Sequence, residues 1–189
     1  MGDSARRSAT SYPAPMIGTL RTAPALDRAE LLADPVTRVL KDLQLADVHV
    51  AEIDPADADT AAFSERYGVG LDQSANCVVV AGRRGADTRL AACVVLANAR
   101  ADVNGVIRKR LDARKASFAP MDVAVAETGM EHGGITPVGL PDGWPLLVDQ
   151  AVVDAGLVVI GSGLRRSKLV LPGRLLAQLP GAEVSAFAV

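Results

Sequence analysis

Aromatic side chains are scarce in this 189-residue chain, with three Phe, two Tyr and one Trp making up 3% of it. The core must therefore be built mostly from the Ala, Val and Leu that dominate its 49% hydrophobic content. Cysteine is scarcer still. Cys77 and Cys93 each sit in a Val-rich run, and two thiols are too few for a disulfide framework or a zinc cluster. Buried free thiols are expected instead. His49 and His132 are the only histidines, so no metal site is expected, and nothing in the sequence asks for a cofactor. Long apolar runs are missing too. "CVVVA" and "LVVI" fall far short of a bilayer span, and "MGDSARRSATSYPAPMIG" carries arginines without the apolar stretch of a secretory signal. A cytoplasmic protein with no membrane partner is expected. Nor is there a large excess of either charge, since the formal net charge is −2. That excludes a generally basic nucleic-acid binder.

What charge there is lies unevenly. Arg100 to Lys115 holds six basic residues against two acidic ones, and Gly161 to Arg174 holds four basic residues and no acidic one. Two such strips suit a phosphate backbone, although ordinary solvated surface reads the same way. The length suits one domain with a real core and a short appendage. Residues 1–33, rich in Ser, Ala, Pro and Arg, read as a flexible N-terminal extension, and residues 34–189 as the domain.

Within the domain, "ADPVTRVLKDL" reads as a helix capped by Asp34, with Val36, Val39, Leu40 and Leu43 on one face. "VHVAEI" alternates as a strand, and "DADTAAFSERYG" reads as a helix stopped at Gly68. "NCVVVAG" and "RLAACVVLAN" read as a hairpin joined by "RRGADT", with both faces covered. "DVNGVIRKRLD" follows as a helix with Val103, Val106, Ile107 and Leu111 inward. "KASFA", "PLLVD", "GLVVIGSG", "SKLVL" and "AEVSAFAV" read as strands, "MDVAVAETG" and "PGRLLAQLPG" as short helices. Paired strands with few helices argue against a regular wound βαβ sheet. The expected fold is mixed α/β: a central, largely antiparallel, curled sheet with short flanking helices.

The stretch "EHGGITPVGLPDGWP" packs five glycines and prolines between Gly133 and Pro141. Glycine lets a backbone approach a ligand and aim its N–H groups at an oxygen, and proline stiffens the turn. By composition this is either a tight turn between strands or a preorganised main-chain site for a carbonyl.

The wider pattern resembles a known superfamily. "TGMEHGGITPVGLP" is similar to the glycine-rich segment of the YbaK and prolyl-tRNA-synthetase editing domains. "DQSANCVVVA", "LDARKASFAP" and "VVIGSGLRRSKLVLPGRLLAQLPGAEV" resemble further family segments in the same order, over roughly residues 35–187. The resemblance implies a deacylase that hydrolyses the ester of a mischarged tRNA, with water or a substrate hydroxyl as nucleophile. The acceptor end of an aminoacyl-tRNA would be its partner, with a synthetase as a second partner in some relatives. Asn76, Gly133 and Gly134 would be the catalytic positions. Ile135, Thr136 and Pro137 would complete the first loop, and Gly161, Ser162 and Gly163 would form a second glycine loop facing the same pocket.

One position departs from the family. A lysine usually opens the strand that here begins at Asn76. Asparagine can donate a hydrogen bond but carries no charge. Lys115 and Arg165 are the expected substitutes. Without one, the alternative is a non-catalytic binding protein on the same fold. Cys77, next along the strand, would face away from Asn76. Asp149 suits a local cap, and Trp144 suits packing over the sheet end.

Overall fold

The computed structural model describes residues 15–189. Nine strands run through it: β1 (Thr22–Pro24), β2 (His49–Glu52), β3 (Ala75–Arg84), β4 (Asp87–Leu96), β5 (Lys115–Phe118), β6 (Leu146–Asp149), β7 (Leu157–Gly161), β8 (Ser167–Pro172) and β9 (Ala182–Ser185). They form a four-stranded sheet in the order β1-β2-β8-β7 and a five-stranded sheet in the order β5-β3-β4-β6-β9. Neighbours are antiparallel except β4–β6 and β6–β9. A parallel bridge between Ser74 and Val159 joins the two sheets where β3 begins.

Strand alternation explains the layers. In β4, Ala92, Val94 and Leu96 enter the core between the sheets, while Ala91, Cys93 and Val95 enter a second cluster on the far side. In β8, Leu169 and Leu171 point to the central core and Val170 to a third cluster around Phe63. Each sheet thus has both faces covered, which is why these strands read as continuous apolar runs. Small side chains suit this arrangement, because Ala and Val let two sheets and their covering helices pack closely.

Five short helices flank the sheets: α1 (Asp34–Asp42), α2 (Thr60–Tyr67), α3 (Arg108–Arg110), α4 (Met121–Thr128) and α5 (Gln150–Asp154). α2 and α4 end at Gly68 and Gly129, both left-handed, with φ of 64° and 65°. α1 differs from expectation at its start. Ala33 is the cap residue, Asp34 and Pro35 are the first helical residues, and no side chain caps the turn. α3 is one short turn after a π-type turn over Val103–Ile107, so the register slips and Val106 is exposed rather than inward. The β3–β4 turn is tight: Arg84 pairs with Asp87, leaving only Gly85 and Ala86 outside the ladder.

The packed chain begins well before residue 34. Ile17, Leu20, Ala25, Leu31 and Leu32 are buried, and β1 adds an edge to β2. The Arg166 guanidinium donates to Glu30 O (2.6 Å), Ser167 Oγ to Leu31 O (2.6 Å) and Ala33 N to Ser162 O (3.2 Å). These bonds seat the segment against the β7–β8 connection, so residues 17–33 are not an extension. Residues 1–14 of the expected extension lie outside the described residues.

Candidate functional site

Where the two sheets meet, a cavity of about 260 Å³ opens beside the start of β3. The first half of β3 leaves this opening free, because β5 pairs only with Val80–Arg83. Asn76 and Val78 reach the cavity from β3, Val159 and Gly161 from β7, and Phe63 from α2. Gly133 and Ile135 close it from the glycine-rich stretch.

Asn76 is half-buried, and its Oδ1 accepts from Thr60 Oγ1 (2.9 Å). Cys77 borders the cavity but packs against the central core, and burial drives its thiol far above the ordinary range. Cys93 is pushed up to about 12 for the same reason. Neither thiol supplies a thiolate nucleophile near neutral pH.

The two glycine segments meet each other, backbone on backbone. Gly163 N donates to Gly134 O (2.7 Å), and Glu131 N donates to Gly163 O (2.9 Å). A Cβ on Gly134 would lie 2.6 Å from Leu164 C, and one on Gly161 would lie 2.3 Å from Gly134 O. The glycines are therefore required by this contact. It also turns several expected pocket residues away from the cavity. Gly134 has its N–H on Glu131 O (2.9 Å) and its carbonyl on Gly163. Thr136, Pro137 and Gly163 are buried behind the loop. Ser162 is fully buried, its hydroxyl bonded to Ser167 Oγ (2.7 Å) and Leu164 O (3.1 Å). Of the two loops' expected pocket residues, Gly133, Ile135 and Gly161 reach the cavity.

Gly133 and Ile135 share a further property. Among the described residues, their N–H groups donate to no protein acceptor, while Gly134 between them is bonded. A left-handed φ of 80° at Gly133 turns the chain so that alternate amides are left available.

Neither expected substitute cation lines the cavity. Lys115 sits on β5 opposite Arg83, in a separate groove with Arg108 and Arg114. Its strand pairs with the far end of β3, so the fold itself keeps it away. Arg165 stands at the rim with its guanidinium engaged. Nε donates to Pro55 O (2.9 Å), and the fork meets Asp59 (3.3 Å). It clips the entry to α2 onto the glycine loop.

The cation in the cavity is Lys168, a residue of the "SKLVL" strand. It pairs across the sheet with Gly161 and shares the face of Val170. Its Nζ donates to Ala58 O (2.8 Å) and lies 3.5 Å from Gly133 O, with the Phe63 ring centre 5.4 Å away. Burial lowers its pKa to about 8, with Asp59 opposing and Arg165 adding to that shift. One signal pointed to it: a single charged residue inside "SKLVL", on the strand face that alternation assigns to an apolar cluster. Elsewhere, Asp149 caps α5 through Ala151 N (3.0 Å) and accepts from Phe187 N and Ala188 N, both at 2.8 Å. Trp144 lies in a shallow groove with Arg89 and Arg110, away from the cavity. Among the described residues no cluster of His, Cys, Asp and Glu could hold a metal ion, and no helix is long and apolar enough to cross a membrane.

Known proteins share this architecture. One crystal structure, described as a candidate trans-editing enzyme for prolyl tRNA synthetase, superposes with a TM-score of 0.70 at 20% identity, covering 83% of this chain and 96% of that one. A second, of the hypothetical protein APE2540, gives a TM-score of 0.72 at 22% identity, covering 82% and 100%. At these identities the likeness is one of fold. No curated protein sequence matches the chain. Residues 54–179 match the family described as "Aminoacyl-tRNA editing domain". That segment covers two-thirds of the chain and contains every residue lining the cavity, from Ala58 to Lys168. The chain belongs to the aminoacyl-tRNA editing domain family.

Proposed function

We propose that the cavity hydrolyses the ester of a mischarged aminoacyl-tRNA, acting in trans on a small amino acid. The observation that carries this reading is the pair of unbonded N–H groups on Gly133 and Ile135 beside Asn76. Amides fixed in place before the substrate arrives stabilise charge as it develops on a carbonyl oxygen. Water attacks the ester carbonyl carbon, and the proton it gives up passes to the departing ribose oxygen, directly or through the vicinal ribose hydroxyl. The carbonyl oxygen becomes an oxyanion held by the amides. When the tetrahedral species collapses, the bond to the ribose oxygen breaks and that oxygen takes a proton. With water as nucleophile, the products are the free amino acid and a tRNA with its terminal hydroxyl restored. Asn76 has one amide oxygen engaged by Thr60, and its NH2 group is available to orient the substrate. A volume of about 260 Å³ is at the small end for a ligand cavity, which favours a small side chain.

The groove of Arg83, Arg108, Arg114 and Lys115 would meet the phosphates of the acceptor stem. A synthetase partner and a cytoplasmic setting fit the same reading. The second reading, a binding protein on this fold, is favoured by the neutral Asn76. Deacylation of a panel of correctly and incorrectly charged tRNAs separates the two. The deacylase reading expects hydrolysis of one or two mischarged species. Absence of hydrolysis across the panel, with analogue binding retained, would favour the binding protein.

A further inference from the structure

We propose that Lys168 is the cation that contacts the substrate in this cavity, its ammonium meeting the ester carbonyl oxygen beside the Gly133 and Ile135 amides. This rests on the deacylase reading. Lys168 stands among the buried Leu169, Val170 and Leu171 of β8, where its charge loses hydration. A buried charge normally finds a carboxylate, yet among the described residues Lys168 forms no ion pair, and Asp59 is bonded to Arg165 instead. Its partners are two main-chain carbonyls, Ala58 O at 2.8 Å and Gly133 O at 3.5 Å. An ammonium has three donors, so one remains for a ligand.

Among the described residues, Lys168 is the only lysine or arginine lining the cavity. The charged and titratable groups around it are Asp59 at the entry to α2, Arg165 from the β7–β8 connection, His132 from the glycine loop and Cys77 from β3. Of these, Arg165 is held at the rim by Pro55 and Asp59. By contacting Gly133 O, the ammonium also braces the same residue whose N–H is free. The cation and the amides are thus held as one unit.

The test compares Lys168→Met, Lys168→Arg and the double variant Asn76→Lys/Lys168→Met, each first checked for an unchanged circular dichroism spectrum. Against the charged tRNA that the native protein hydrolyses best, Lys168→Met is expected to lower kcat about a hundredfold with KM little changed. The native rate should fall as pH rises through about 8, where Lys168 loses its proton. Lys168→Met should lack that fall, and Lys168→Arg should move it upward. Asn76→Lys/Lys168→Met is expected to recover at least part of the rate, because Asn76 borders the same cavity. A Lys168→Met rate within threefold of native, with the same pH profile, would overturn the proposal.

If the native protein hydrolyses no ester, the deacylase reading fails separately. Lys168 is then judged by calorimetric binding of a non-hydrolysable 3′-aminoacylamido-adenosine. A tenfold weaker affinity in Lys168→Met supports the contact. Equal affinity, or no binding by the native protein, overturns it.

Discussion

Burial lowers the Lys168 pKa from an ordinary value of 10.5 to about 8, so on raising pH the folded chain releases this proton before the unfolded chain does. Below pH 8 both states hold the proton, and the full cost of the buried charge is present. Between about 8 and 10.5 the unfolded state binds more protons, and that cost is relieved as pH rises. The cysteines act in the opposite sense: with Cys77 pushed up and Cys93 near 12, the unfolded thiols ionise first and stability falls above the ordinary thiol range. Lys168→Met isolates the first effect. In urea unfolding it is expected to exceed the native protein by on the order of 2 kcal/mol at pH 7, with the gap closing towards pH 10. A gap constant over that range would contradict the buried-charge account. Asp149 offers a second measurement at this scale. Its carboxylate accepts three backbone N–H groups, so Asp149→Ala is expected to lower stability by roughly 3 kcal/mol while leaving the cavity residues in place. A melting temperature within a degree of native would show those bonds to be dispensable.

The two glycine segments form the element on which the site depends, and they depend on each other. Gly161→Ala would force its Cβ against Gly134 O at 2.3 Å, whereas Gly143, with φ of 79°, has nothing within 4 Å of its Cβ. Gly143→Ala therefore carries backbone strain alone, about 1 kcal/mol. Gly161→Ala carries no such strain but overpacks backbone against backbone, at a cost of roughly 1–3 kcal/mol or more, and displaces the loop that holds Gly133 and Ile135. Thermal unfolding of the two variants side by side checks this, and equal melting temperatures would contradict the interlock. Gly134→Ala belongs with Gly161→Ala, because its Cβ would lie 2.6 Å from Leu164 C.

The same contacts set how much of the fold is legible in the sequence. Strands β3, β4, β7 and β8 were legible because covered strands are continuous apolar runs. Gly68 and Gly129 were legible as helix stops because only the left-handed conformation fits there. Glycine content marked the two loops as tight. Which of their amides remain free depends on the partner backbone, and that is a long-range contact no local pattern encodes. Lys168 shows locally only as a charge on an apolar strand face, and its entry into the cavity is set by the β7–β8 register.

Across the whole molecule, β3 links two chemically different places. Asn76 is in the cavity, and Arg83, seven residues on, lies about 23 Å away at 3.3 Å per residue. Arg83, Arg108, Arg114 and Lys115 gather there without an ion-pair partner among the described residues. That spacing suits a substrate reaching the cavity by one end while its phosphates lie along the groove. Arg83→Glu with Arg114→Glu is expected to raise KM for charged tRNA at least tenfold, leave kcat within twofold, and flatten the dependence of KM on salt. An unchanged KM would remove the groove from the binding surface. The N-terminal segment belongs to this picture too, because Glu30 O and Leu31 O hold the β8 end of the site in place.

The proposed deacylation requires the Gly133 and Ile135 amides to receive the substrate carbonyl. The direct measurement is a nitrogen-15 NMR titration of the protein with a non-hydrolysable 3′-aminoacylamido-adenosine carrying a small amino acid. The predicted result is that the largest shifts fall on the Gly133 and Ile135 N–H signals and the Asn76 side-chain amide, with Gly134 moving little. Shifts confined to the Arg83–Lys115 groove, or spread without preference for the cavity, would contradict it.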